Sequence, residues 1–377
     1  MEHYLDNAAT TKPCAEAAAA VMSCISSHYG NPSSLHRKGL EAQHEVEYAR
    51  NQVAGALGCK AQEIVFTSGA TESTNLALCG AAAAYGRKRK KIITSAVEHA
   101  SVRETMAHLE TLGFTVVSVP PAEDGLYHAE DFLKEVDKDT CMVSIMLVNN
   151  ENGYRMPVEE VFRTVKRRDS DIITHCDAVQ GFLKVSFKPR TLCADLVSLS
   201  GHKVHALKGA GALYIRQGVR LKPVLYGSRQ EKGLRPGTEG VPVIAAFGAA
   251  AEKLVLTMDE RYDAVSGLRS SLIEQLKEMD GVIIRDLPSA SPYVLNISAG
   301  KVRSETMLHF LENLEVYVSS GSACAKGKPS YVLESMNIGR DRADSALRIS
   351  FSKFNTEADI DALCYGIEKG LKTLAHK

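Results

Sequence analysis

The sequence carries no excess charge of either sign. Lysine plus arginine and aspartate plus glutamate number 45 each, so no global field argues for a nucleic-acid or membrane partner. No apolar stretch approaches the ~20 residues that a membrane-spanning helix needs. The first residues, Met1-Glu2-His3-Tyr4-Leu5-Asp6, lack the basic-then-apolar pattern of a secretory signal, and the expectation is a cytoplasmic protein. Nine cysteines are present, but none forms a C-x-x-C pair or a tandem Cys/His spacing, which argues against any metal site of the zinc type. Their odd number predicts free thiols in a reducing compartment. Internal repeats and low-complexity linkers are absent too. One run, Gly86-Arg87-Lys88-Arg89-Lys90-Lys91, is locally basic. It reads as a solvated loop between a helix and a strand more readily than as an RNA contact.

What is present is an ordinary globular composition, 45% hydrophobic and 24% charged, over 377 residues. That length exceeds one typical core and predicts a large domain with a smaller companion. From residue 63 to 215, short apolar runs alternate with amphipathic segments. This predicts an α/β fold with a mostly parallel sheet covered by helices on both faces. The strands are expected at 63–67, 91–95, 114–119, 141–148, 171–176, 195–199 and 211–215. An apolar helix over 243–256 is long enough to link two domains. Beyond it, shorter strands mixed with helices predict a smaller α+β unit. The expected division is 13–254 for the large domain, with 1–12 and 255–377 forming the small one.

Ligands of open α/β sheets collect at the carboxyl ends of the strands, and several strands here end in polar residues. Asp195-Leu196-Val197-Ser198-Leu199 runs into Ser200-Gly201-His202-Lys203. A lysine among small residues just past a core strand can be partly desolvated, which favours the neutral amine that holds an aldehyde cofactor. A solvated surface lysine has the same local sequence. Ser68-Gly69-Ala70-Thr71 lies where a strand turns into a helix, which suits a phosphate but also an ordinary capped helix start. No Walker lysine accompanies it, so a nucleotide P-loop is disfavoured. Asp177 ends the strand before that of Lys203 and should neighbour it. A carboxylate there could hold a pyridine nitrogen protonated, with Gln180 on a ring oxygen, or could merely cap the next turn. His99, read as a strand end, could stack on a ring or move a proton, or be structural. Cys324 sits in Ser319-Ser320-Gly321-Ser322-Ala323-Cys324-Ala325-Lys326-Gly327-Lys328, a glycine-flanked, lysine-containing context that favours a thiolate and a swinging loop. Arg348, inside an apolar strand, wants a bidentate partner, either a substrate carboxylate or an internal salt bridge.

As an ordered set these pieces resemble the NifS/IscS-type cysteine desulfurases, pyridoxal-phosphate enzymes of the class V aminotransferase group. The resemblance runs from Asp6-Asn7-Ala8-Ala9-Thr10-Thr11 through Gly30-Asn31-Pro32-Ser33-Ser34, Ser68-Gly69-Ala70-Thr71, Glu98-His99, Asn149-Asn150-Glu151, the Asp177/Gln180 pair and Ser200-Gly201-His202-Lys203. It ends at Ser320-Gly321-Ser322-Ala323-Cys324 and Arg348-Ile349-Ser350-Phe351. The resemblance implies the fold type I architecture of pyridoxal 5'-phosphate enzymes. It implies Lys203 as the residue carrying the cofactor, His99 against its ring, Asp177 on the pyridine nitrogen and Gln180 on the ring oxygen. Ala70, Thr71, Ser200 and His202 would hold the phosphate, with Thr238 contributed by the partner subunit of a homodimer. Asn150 and Arg348 would bind the carboxylate of L-cysteine. Cys324 would accept its sulfur as a persulfide, for delivery to an iron–sulfur scaffold or a tRNA-thiolating enzyme.

The chain departs from the family pattern at Asn152-Gly153-Tyr154-Arg155-Met156, at Gly227-Ser228-Arg229-Gln230 and at Gly240, which suggests a specialised member. A selenocysteine lyase or another class V aminotransferase would share the fold. An aminotransferase, however, has no use for a mobile thiol. A non-catalytic sulfur-transfer adaptor would have no need of Lys203, Asp177 and His99.

Overall fold

The computed structural model describes residues 2–320 and 330–374. Seven strands form the central sheet: β1 (Ile64–Thr67), β2 (Lys91–Ser95), β3 (Thr115–Val119), β4 (Thr140–Met146), β5 (Ile173–Asp177), β6 (Leu196–Ser200) and β7 (Gly211–Ile215). Their spatial order is β1-β7-β6-β5-β4-β2-β3. Strands β2 to β6 pair in parallel, whereas β7 runs antiparallel to both β1 and β6. Strands β4, β5 and β6 are buried at every position. Parallel strands covered on both faces lose the alternation of a half-exposed strand and read as continuous apolar runs. Edge strand β3 is partly exposed.

The helices follow from the same patterning. Arg37–Leu57 ends at Gly58, whose left-handed φ of 72° suits a residue without a Cβ. Val158–Arg168 buries Val158, Val161, Phe162 and Val165, an i, i+3, i+4, i+7 stripe. Val241–Val255 is not a free-standing connector. It is apolar around most of its circumference and packs against Ala15–Ser26 and Arg37–Leu57, within the same core as the central sheet.

A second core lies around a three-stranded antiparallel sheet, with Val294–Ala299 between Ala346–Ser350 and Val282–Arg285. The helices Met258–Lys277, Ser304–Glu312 and Glu357–Thr373 pack on it. Leu5 belongs to this second core, and His3–Tyr4 pairs in parallel with Val316–Tyr317. The chain then crosses towards the end of β6, where Thr11 N donates to the His202 carbonyl at 3.0 Å. No single helix among the described residues is long and apolar enough to cross a membrane.

Candidate active site

The carboxyl ends of β5 and β6 open into a cavity of about 450 Å³. Lys203, His99, Asp177, Gln180, Ala70, Thr71, Ser200, His202, Asn150 and Arg348 all line it. Thr238 is exposed and lies outside that lining. Cys324 falls outside the described residues; of its surroundings, Ser319 pairs through its backbone with Arg348, at 3.1 and 2.7 Å.

β5 and β6 are parallel neighbours, so the strand-end residues Asp177 and Ser200 emerge on the same edge. Lys203 follows in a single 3-10 turn, Gly201–Lys203. Its Nζ donates to the carbonyls of Ala8 at 2.6 Å and Ala9 at 2.7 Å. Two backbone acceptors from the N-terminal segment thus hold the amine, so Lys203 is not the solvated lysine that its local sequence also allowed.

Asp177 is 5% exposed and its Oδ1 accepts from Val179 N at 3.0 Å. Burial pushes its carboxyl pKa up, against the opposing pull of His99, the Val179 N–H and Lys203. A desolvated carboxylate with this surplus of acceptor capacity is stabilised by a cationic N–H donor. His99 does not end a strand. β2 stops at Ser95, and His99 is the N-cap of Ala100–Thr111. Its ring has apolar shape but takes the helix start because Nδ1 accepts from Ser101 N at 3.1 Å. That bond assigns the ring proton to Nε2. Burial lowers the His99 pKa, reinforced by Lys203 and Arg103 against the pull of Asp177, so the imidazole is neutral.

One end of the cavity is lined by the start of Ala70–Tyr85. First-turn N–H groups have no intrahelical acceptor, and here Ala70 and Thr71 face the cavity with Ser200 and His202. The approach is tight: a Cβ on Gly211 would lie 2.5 Å from the backbone carbon of Gly69. His202 Nδ1 is 3.1 Å from Thr10 Oγ1. Burial, followed by Lys203 and Lys208, lowers its pKa to about 4, leaving a neutral ring.

Arg348 is 1% exposed. The internal salt bridge is present. Its Nη2 pairs with Asp6 Oδ1 at 2.7 Å and Nη1 donates to the Asn150 carbonyl at 3.2 Å. Among the described residues, its Nε and the Asn150 side-chain oxygen are buried with no hydrogen-bond partner, so the two side chains have capacity that a ligand could engage. Gln180 Nε2 donates to the Ala8 carbonyl at 2.9 Å while its Oε1 accepts from Lys184 Nζ at 3.0 Å.

Sequence reasoning missed the role of Asp6, Ala8 and Ala9. Their motif was visible, but two backbone carbonyls gripping an amine leave no mark in residue type. Lys184 was passed over inside an apolar run. The signal that could have found it is its i, i+4 spacing from Gln180.

The donor set fits pyridoxal phosphate: an amine, a buried carboxylate awaiting a cation, a flat neutral imidazole and a helix N-terminus. The class-V aminotransferase family model matches residues 3–363. A cysteine desulfurase IscS of Dictyoglomus turgidum is 37% identical over 99% of this chain and 95% of its own. A solved NifS-like protein superimposes with a TM-score of 0.94 at 39% identity, covering 99% of this chain and 100% of that one. A solved structure of SspA in complex with cysteine has a TM-score of 0.83 at 30% identity, covering 94% and 100%. The chain belongs to the class-V aminotransferase family and, within it, to the cysteine desulfurases.

Proposed function

We propose that the chain converts L-cysteine to L-alanine and keeps the sulfur as a persulfide on Cys324. The observation that carries this reading is the convergence of Lys203, buried Asp177 and the Arg348–Asn150 pair on one cavity. In this reading Lys203 carries pyridoxal 5'-phosphate, and His99 lies against the ring. Asp177 pairs with the pyridine nitrogen and Gln180 with the ring oxygen. Ala70, Thr71, Ser200 and His202 hold the phosphate. When bound, the cofactor supplies an electron sink for the substrate α-carbon.

The protein's residues then do the following. Arg348 Nε and the side-chain N–H of Asn150 donate to the substrate's carboxylate and fix its orientation. Lys203, once released from Ala8 and Ala9, moves the proton of the substrate α-carbon. The Cys324 thiolate attacks the substrate sulfur: an S–S bond forms and the C–S bond breaks. The bond pair stays on carbon, which a proton completes as the methyl group of alanine. The SspA–cysteine structure supports cysteine as the substrate, and the cysteine desulfurase relatives support the reaction.

Two further parts belong to the proposal. The chain works as a homodimer in which Thr238 reaches the partner's phosphate. Supporting this, Met22, Ile25, Leu35, Leu40, Tyr48 and Tyr226 are exposed large hydrophobics. Met22, Ile25, Leu40 and Tyr48 lie on helices Ala15–Ser26 and Arg37–Leu57, where a second copy would cover them. The persulfide passes in the cytoplasm to a protein acceptor, an iron–sulfur scaffold or a tRNA-thiolating enzyme. The described cysteines are all free thiols, and burial raises the pKa of Cys14, Cys24, Cys59, Cys79, Cys141, Cys176 and Cys364, so these seven do not compete with Cys324 as nucleophiles.

The test is incubation with L-cysteine, quantification of alanine and mapping of the persulfide by mass spectrometry. Stoichiometric alanine with the extra sulfur on Cys324 is expected. Alanine without sulfur on that residue, or no turnover of L-cysteine, refutes the reading.

A further inference from the structure

We propose that Lys184 is a positioning residue: it holds the Gln180 amide so that its N–H side faces the cofactor cavity. The inference rests on the cofactor reading above and extends it to a residue outside the cavity lining.

Lys184 is 6% exposed. Its Nζ donates to Gln180 Oε1 at 3.0 Å and lies 5.8 Å from the centroid of the Tyr293 ring. The charged groups that act on it are cations: Lys203 beside β6, Arg261 on Met258–Lys277, and Arg348 on Ala346–Ser350. The neighbouring rings of His202 and His205 are themselves held neutral. Burial first, then those cations, lower the Lys184 pKa to about 7. A lysine placed among cations, with an amide oxygen as its hydrogen-bond acceptor, is a poor stabiliser of the fold. Its presence is explained by what it does to Gln180.

The geometry is built for that contact. Leu183 adopts a left-handed φ of 58°, a conformation that a bulky residue rarely takes, while its carbonyl accepts from Arg261 at 3.0 Å. The turn carries Lys184 back beneath Gln180. The amide is then fixed from both sides. Oε1 is committed to Lys184, and Nε2 donates one proton to the Ala8 carbonyl at 2.9 Å. That leaves the second Nε2 proton for an acceptor in the cavity that Gln180 lines, which is what a phenolate-type ring oxygen requires. Without Lys184 the buried Oε1 loses its donor, and an unsatisfied amide oxygen drives the side chain to turn or withdraw.

The experiment is a titration of apoprotein with pyridoxal phosphate, followed by absorbance, on the native chain, Lys184→Met, Gln180→Ala and the double variant. Lys184→Met is expected to weaken cofactor binding about 10-fold and to shift the pH midpoint of the visible band, without lowering the apoprotein melting temperature. Gln180→Ala should weaken binding similarly, and the double variant should be no weaker than Gln180→Ala alone. Native-like affinity in Lys184→Met, or losses that add in the double variant, overturn the inference. If Lys184→Met does not fold, Gln180→Glu decides. It retains the lysine contact but has no N–H for the cavity, so it should lose affinity about 10-fold; retained affinity refutes the proposal. Failure of the native chain to bind the cofactor would instead overturn the reading on which this one rests.

Discussion

Replacing Arg348 with lysine separates substrate recognition from the architecture that surrounds it. Arg348→Lys keeps the charge, and an ammonium can still reach Asp6, the partner at 2.7 Å. The planar fork is lost, and with it the unpartnered Nε. Because Asp6 is 20% exposed at its side chain, its pairing with residue 348 is partly solvated and survives a weaker partner. Arg348→Met would be a poorer probe, since it leaves Asp6 beside an apolar wall. One charge-assisted hydrogen bond is worth about 1.5–3 kcal/mol, or roughly 10- to 150-fold in an equilibrium constant. The KM for L-cysteine in Arg348→Lys should therefore rise by roughly 10- to 150-fold. The change in kcat should be smaller, because the carboxylate is gripped alike before and during reaction. The assay is alanine formation against concentration, run in parallel with cysteamine, which lacks the carboxylate. Discrimination between the two substrates should fall by the same factor as the KM rises. An unchanged KM with intact discrimination would show that Arg348 is only the salt-bridge partner of Asp6.

Cys324→Ser should bind the cofactor as the native chain does and yield no persulfide by mass spectrometry; alanine release at the native rate would refute the thiol's role. Gly211→Ala directs a methyl at the Gly69 backbone, 2.5 Å from its carbonyl carbon. An overpacked backbone contact of this kind costs about 1–3 kcal/mol, visible as a lower melting temperature together with weaker pyridoxal-phosphate retention. Glu98 is fully buried, with Oε1 accepting from Ser95 Oγ at 2.6 Å and Met146 N at 2.9 Å. Burial first, then Asp177, raises its pKa to about 8 against those hydrogen bonds. The folded state therefore holds a proton that the unfolded chain releases above about pH 4.3. Apoprotein stability should fall as pH rises from there to about 8, by up to ~1.4 kcal/mol per unit from this group. Glu98→Gln should flatten that slope in melting curves measured from pH 5 to 8; an unaltered slope would refute the assignment.

Much of this was legible because the central strands are buried on both faces. β2 and β7 fall where the apolar runs place them, and the parallel pairing of β5 with β6 follows from the strand–helix alternation. The helix Ala70–Tyr85 runs on past Gly80 because the following alanines still pack at Ala81 and Ala82. Short amphipathic elements were harder. Val282–Arg285, partly exposed on its outer edge, gives too few residues for a period to register. His99 read as a strand end because sequence does not separate a polar strand terminus from a helix cap a few residues further on. The site residues were visible as an ordered set of polar strand ends. What holds them was not, because it is backbone.

That backbone explains how the two ends of the cavity are made interdependent. Residues 6–9 bring four contacts into one short stretch. Asp6 pairs with Arg348, the Ala8 carbonyl accepts from both Gln180 Nε2 and Lys203 Nζ, and the Ala9 carbonyl accepts from Lys203 as well. Leu5, just before them, is packed in the second core, while Thr11, just after, is bonded to the His202 carbonyl. The segment is thus tied at one end to the strand of Arg348 and at the other to the loop of Lys203. A displacement of Asp6 by a ligand on Arg348 is carried along only two residues before it reaches the carbonyl shared by Gln180 and Lys203. In the proposed reaction Lys203 leaves Ala8 and Ala9, and Ala8 then keeps Gln180 as its donor, so the amide stays in place while the amine moves. Sharing one carbonyl between a fixed donor and a mobile one lets this site release its lysine without leaving the buried Ala8 carbonyl unsatisfied.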